Sequence, residues 1–335
     1  MNARSAVPIQ PNHVDPRVAM GLPAVFLDRP HGDLYERNRD LFRLDPEKLV
    51  LIAEDPTVEF ERRFAAGHVL ALTGDPRIEP FAPRMLDVPG GRVRIGLPGH
   101  EVDRVVREWR EVGVLPEWIE KEVPEHTVEL AAYRIARFPV TNLEYRLYLL
   151  DTGALSLPSS WNFGRYPHPR ANHPVWTVRP EDADKYATWL SARTGRQFRL
   201  PTESEWEFAA SGGDGREYPW GDQFYVNAAN TVEGGPLMTT PVGLFPAGRS
   251  PFGLDDMGGN VEEYVADEYR PYPGGRAVSD DLAGTWLAYR VARGGSFARY
   301  GDLARCRRRH GWYDGPIYAM GFRLAETVNR TGDHG

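Results

Sequence analysis

One cysteine in 335 residues, Cys306, excludes an internal disulfide framework and any metal site that needs two thiolates from this chain. Lysine is nearly missing too: Lys48, Lys121 and Lys185 are the three lysines among 40 basic residues. That bias suits the codon usage of a GC-rich genome better than a functional arginine patch. Excess positive charge is absent. A net charge of −7 argues against a nucleic-acid partner held by charge. No stretch approaches the roughly 18 consecutive apolar residues of a membrane span. The opening residues, Met1-Asn2-Ala3-Arg4-Ser5, lack the apolar centre of a secretory signal. Together these absences lead to the expectation of a cytoplasmic protein with no membrane and no nucleic-acid partner.

What is present divides the chain. Residues 1–30 are rich in proline and polar residues and read as a loose arm draped over a domain. Asp55 as cap, Pro56 at the first position and an apolar face of Phe60, Phe64 and Ala71 predict a helix over about 56–73, closed by Gly74. His68 lies on that face and reads as a packing histidine. Residues 85–96 alternate like a strand with a turn, 101–123 read as an inserted helix or long loop, and 124–130 alternate again. Capping boxes at Thr141/Glu144 and Thr202/Glu205 start two helices, ended by Gly153 and Gly212. Pro180, with Glu181 and Asp182 behind it, starts a third that stops at Gly195. Beyond Gly215, glycine, proline and aromatics dominate, which predicts short strands and long loops. The domain boundaries expected are an extension over 1–80, a domain over 84–326 and a tail over 327–335.

Several runs carry a resemblance. They are Phe138-Pro139-Val140-Thr141-Asn142-Leu143-Glu144-Tyr145, His173-Pro174-Val175, Leu200 to Ala210, Pro219-Trp220-Gly221-Asp222, Gly253 to Tyr264, Arg293-Gly294-Gly295-Ser296-Phe297, and Gly321-Phe322-Arg323. In this order and spacing they resemble the formylglycine-generating-enzyme-like (sulfatase-modifying-factor) domain. The resemblance implies an α+β fold of the C-type-lectin-like kind, with little regular secondary structure and long ordered loops. It also implies a set of chemistries: copper-dependent formylglycine generation, iron-dependent sulfoxide synthesis, and tailoring of siderophores.

The site residues depart from the family pattern. Its two copper cysteines fall at Arg299 and Ala304, neither of which binds copper, so formylglycine generation is not expected. By the same resemblance a structural calcium would be held by the side chains of Asp256 and Glu263 and the carbonyls of Gly259 and Val261. Glu262 stands where the family carries a tryptophan. Glu262 and Arg299 are an acid and a base substituted into one cleft, either as a bridge closing an old site or as a new polar pocket. The pocket reading makes Glu262 an acid/base, Arg299, Tyr300, Arg305 and Arg309 anchors for an anionic substrate, and His310 a proton carrier or metal ligand. Cys306 and His310 are four apart, and on a helix they would share a face and could hold a redox metal such as iron. The function expected is a metal-assisted oxidative tailoring enzyme of specialised metabolism acting on a small polar or anionic substrate. The alternative is a non-catalytic binding module or partner subunit on the same scaffold; residues 1–80 would cover the cleft or form a homodimer contact.

Overall fold

The computed structural model describes residues 10–27, 33–282 and 288–328. The tail beyond 328 and His31 lie outside the described residues. Among the described residues no helix is long and apolar enough to cross a membrane.

The N-terminal part is helical. Residues 10–27 hold a single turn at Pro11–His13 and the short α1 (Pro16–Ala19). Then come α2 (Leu34–Arg37), α3 (Pro46–Glu54) and α4 (Phe60–Thr73). The predicted helix therefore begins four residues late. Asp55 does not cap it; its carboxylate accepts from the Thr57 N–H and hydroxyl, 2.9 and 2.7 Å, and turns the chain between α3 and α4. Leu49, Ala53, Phe64 and Leu70 bury one face of this unit against Leu244 and Phe245 of the domain. At Gly67 the contact leaves no room for a side chain, since a Cβ would lie 2.7 Å from Pro241. The Gly67 carbonyl accepts from Asn172 there, 3.0 Å.

The stretch 85–96 is a pair of strands, β1 (Met85–Val88) and β2 (Gly91–Ile95), split at Pro89-Gly90 into different sheets. The charged insert folds into α5 (Val102–Glu108) and α6 (Pro116–Glu120) around Leu97, Val105, Val114 and Ile119. β3 (His126–Leu130) pairs with β2. β4 (Tyr133–Ala136) lies between β1 and the last strand. The three capped helices form as their punctuation requires: α7 (Asn142–Thr152), α8 (Pro180–Thr194) and, after β5 (Phe198–Arg199), α9 (Glu203–Ser211). Both capping boxes are complete, and Gly153, Gly195 and Gly212 close the helices in the left-handed conformation.

The remainder is loops around a second four-stranded sheet. Its strands are β6 (Glu262–Glu268), β7 (Arg290–Arg293), β8 (His310–Gly311) and β9 (Met320–Phe322), in the order β8-β7-β6-β9. β6 and β9 run parallel, with Glu262 opposite Met320 and Glu263 opposite Gly321. β10 (Ala325–Thr327) returns to the first sheet, whose order is β1-β4-β10-β5. The main core lies between α7, α8 and these sheets, with Tyr145, Tyr186, Leu190, Phe322 and Leu324 at its centre.

Candidate functional site

Successive side chains of a strand point to opposite faces, so neighbouring Glu262 and Glu263 on β6 have separate surroundings. Glu263 faces the core. Its Oε1 and Oε2 each accept from Arg323 at 2.6 Å, and Oε2 also accepts from the Trp206 indole at 2.7 Å. The guanidinium thus supplies the positive charge that the resemblance assigned to calcium. Both Glu263 oxygens are already engaged by side-chain donors in this structure.

The turn before β6 is braced by hydrogen bonds of its own side chains. Asp256, Gly259 and Asn260 have φ of 57°, 88° and 68°. A Cβ at Gly259 would meet the Asn230 carbonyl oxygen at 2.6 Å, so glycine is required. The Asn260 side chain accepts from the Thr240 N–H at 3.0 Å and donates back to its carbonyl. Asp256 accepts from the Gly243 N–H at 2.7 Å. Burial, together with the adjacent Asp255, pushes its carboxyl up to about 7. The folded state therefore holds an extra proton between about pH 4 and pH 7, and stability from this group declines as pH rises through that window. Asp256→Asn keeps the acceptor and suits the left-handed backbone. The variant is expected to exceed the parent in unfolding free energy by about 2–4 kcal/mol at pH 8 and to match it near pH 4. Urea titrations in EDTA at the two pH values check this.

Glu262 points the other way and is fully buried. Its Oε2 accepts from His310 Nδ1 at 2.5 Å. The carboxylate can only accept, so Nδ1 carries the imidazole proton and Nε2 is the lone-pair nitrogen. Burial pushes the imidazole down to about 4, against the pull of Glu262. The ring stacks on Tyr318, centroids 5.4 Å apart. Arg299 lies over the same Tyr318 ring at 5.2 Å. The acid and base do not close on each other. Glu262 Oε1 and Arg299 Nη1 are both buried and have no hydrogen-bond partner among the described residues. Among the described residues, then, no closing bridge joins the two.

Tyr318, Arg299 and His310 of this cluster contribute to the linings of three cavities. On one side of Tyr318 is a groove of about 1350 Å³, walled by Trp176, Thr177, Arg179, Tyr289, Arg290 and Trp312 among others. On the other side Arg299 lines cavities of about 60 and 20 Å³, the smaller shared with His310. The groove wall stores strain. Thr177 is β-branched yet has φ of 59°, held by bonds of its hydroxyl with the Ser160 N–H and the Trp176 carbonyl.

Other expected anchors are spoken for. Arg309 donates through two nitrogens to Glu203, both at 2.8 Å, and to the Lys121 and Arg270 carbonyls. Arg305 is paired with Glu122 and Glu217 at 3.0 and 2.8 Å. Both are buried and ion-paired, and Arg305 Nη2 has no hydrogen-bond partner among the described residues. Tyr300 lines the 60 Å³ cavity beside Arg299. The Cys306–His310 pair does not form, because residues 302–309 are a series of turns and not a helix. Cys306 is buried among Trp206, Ala209, Met257 and Val291, and burial pushes its thiol far above the ordinary range. Among the described residues no group of three His, Cys, Asp or Glu converges to hold a metal. An iron triad of two histidines and a carboxylate therefore does not fit this donor set.

Sequence reasoning missed Tyr318, the hub of the cluster, three residues before Gly321-Phe322-Arg323 in what read as a loop. It also missed Asn12, whose side chain accepts from the Tyr318 hydroxyl and donates to Asp281 at 3.2 Å. No local signal marks either residue.

Known proteins match this chain over the same region. Residues 74–328 match the Sulfatase-modifying factor enzyme 1-like domain. The hercynine oxygenase of Mycolicibacterium thermoresistibile is 35% identical over 254 residues, covering 64% of this chain and 55% of that protein. The formylglycine-generating enzyme of Mycobacterium tuberculosis is 32% identical over 250 residues, covering 56% of this chain and 75% of that protein. Among solved structures, PvdO from Pseudomonas aeruginosa is 28% identical, with a TM-score of 0.55, covering 73% of this chain and 95% of that one. The chain spans about half the length of the hercynine oxygenases it matches.

Proposed function

The chain belongs to the sulfatase-modifying factor enzyme 1-like family, and from that premise we propose that it is an oxidative tailoring enzyme of specialised metabolism whose small polar or anionic substrate binds between Arg299 and Glu262. The observation that carries this is the pair of unpartnered atoms, Arg299 Nη1 and Glu262 Oε1, both buried. An unmet buried donor or acceptor costs about 1–3 kcal/mol, more when charged. A ligand that offers an oxygen to Arg299 and an N–H or O–H to Glu262 removes both costs at once. His310 Nε2 is then the group that takes a proton from the ligand, with Glu262 holding the ring in one tautomer. The groove on the far side of Tyr318 has room for the rest of a larger substrate.

The oxidative part of the reading rests on the relatives named hercynine oxygenase. Formylglycine generation is set aside because the copper positions hold Arg299 and Ala304. A non-catalytic binding module is the second reading. One observation favours it: among the described residues no group of three His, Cys, Asp or Glu converges to hold a metal.

Thermal-shift measurements with a panel of small amino acids, betaines and carboxylates test the site. Binding ligands are expected to raise Tm in the parent, and Arg299→Met to weaken them 10- to 100-fold. If no anionic or zwitterionic ligand loses affinity in that variant, the site is wrong. Oxygen uptake with a bound ligand, with and without added Fe(II), separates the two readings: uptake marks the enzyme, and binding without uptake marks the module.

A further inference from the structure

The segment from Gln10 to Met20 lies outside the matched family region yet walls the site. Pro11 and Asn12 line the 20 Å³ cavity beside His310, and Pro11, Val18 and Ala19 line the 60 Å³ cavity beside Arg299. Most of its hydrogen bonds are internal. Asp15 accepts from the Arg17 N–H at 2.8 Å, and the Arg17 guanidinium donates to the Pro23 and Val25 carbonyls at 2.6 and 2.7 Å. The segment thus keeps its own shape and needs little from the body to do so. Among the described residues its first turn is tied to the body by hydrogen bonds of one side chain, that of Asn12, between Tyr318 and Asp281. Residues 13–15, 17 and 18 are exposed, and Ala19 and Met20 pack only partly buried against the main core. Few buried contacts and one polar tie place such a segment at the low end of local stability.

We propose that residues 10–20 are a lid over the Arg299 cavities, latched by Asn12, and that it opens to admit the ligand. The latch holds the same Tyr318 ring on which His310 and Arg299 are stacked. Opening therefore removes the Asn12 bond from a tyrosine that lines both the 20 Å³ cavity and the groove, and closing restores that bond. The lid rests on the site read above only for what lies beneath it.

A cysteine placed under the lid reports its opening without any substrate. Ala298 is small, buried and lines the 60 Å³ cavity. The native Cys306 is buried in the core and stays silent. Iodoacetamide is expected to label full-length Ala298→Cys slowly, and the Asn12→Ala/Ala298→Cys double variant about ten-fold faster, since two hydrogen bonds of roughly 1 kcal/mol or less each are lost. Tm is expected to differ by no more than about 2 °C between the two proteins, because the latch is local. Equal rates in the two backgrounds overturn the lid, as does rapid labelling of Ala298→Cys alone. A faster rate accompanied by a large fall in Tm also overturns it, since global unfolding then explains the labelling. The labelling rates test the lid without a ligand, while Arg299→Met tests the site with the lid intact, so either can fail alone.

Discussion

Arg323→Met is expected to lower the unfolding free energy by about 3–5 kcal/mol, a large share of the roughly 5–15 kcal/mol that holds a typical domain folded. Arg323 is fully buried and donates to both oxygens of Glu263, and also to the Ala136, Arg137 and Asp255 carbonyls. Methionine fills much of the volume but leaves Glu263 as a buried charge without a counter-ion. The loss comes from that stranded carboxylate more than from the pair itself. The double variant Arg323→Met/Glu263→Leu is therefore expected to be no less stable than the single one. Urea unfolding of the three proteins decides the matter. A single-variant loss below about 1 kcal/mol would mean that water or a cation reaches Glu263.

The second large effect is on turnover. Glu262→Gln is expected to lower kcat by about 10²–10⁴ once a substrate is in hand, with a smaller change in KM. Glutamine presents an NH2 donor as well as a carbonyl, so it no longer dictates the His310 tautomer, and it removes the charge that holds the imidazole's affinity for protons up. In the parent, His310 is pushed down to about 4, so it is neutral and able to accept a proton at every pH above about 5. Its contribution to activity is expected to be flat from pH 6 to 8 and to fall only below pH 5. Because the folded imidazole lies below its unfolded value, the unfolded state binds more protons between about pH 6.5 and pH 4, and stability falls as pH drops through that window. An activity step centred near pH 6.5 would show an exposed histidine and sink the assignment.

The helices were legible because their ends are written locally. Thr141 with Glu144, Thr202 with Glu205, and the closing glycines each act within a few residues of themselves. Asp55-Pro56 misled for the same reason: an aspartate that can cap can equally turn the chain, and only the packing of α3 on α4 decides which. Glu262 and Arg299 stood out because each breaks an expected pattern. Arg305, Arg309, Cys306 and Glu263 could not be sorted from the sequence, since their partners, Glu217, Glu203, Trp206 and Arg323, are tens of residues away. An arginine next to the site and one locked into a buried ion pair look alike until the chain is folded. Asn12 is further still, 306 positions from the tyrosine it meets.

The side-by-side placement of Glu262 and Glu263 has a consequence for how this chain can vary. One carboxylate is held for the ligand and the next for the core, and only the register of β6 on β9 tells them apart. Slipping that pairing by one residue would turn Glu262 onto the core face and Glu263 onto the opposite one. Insertions or deletions between Asn260 and Tyr264 are thus barred twice, once by the fold and once by the chemistry. Exchanges of side chain at fixed length, by contrast, leave the register of β6 on β9 intact.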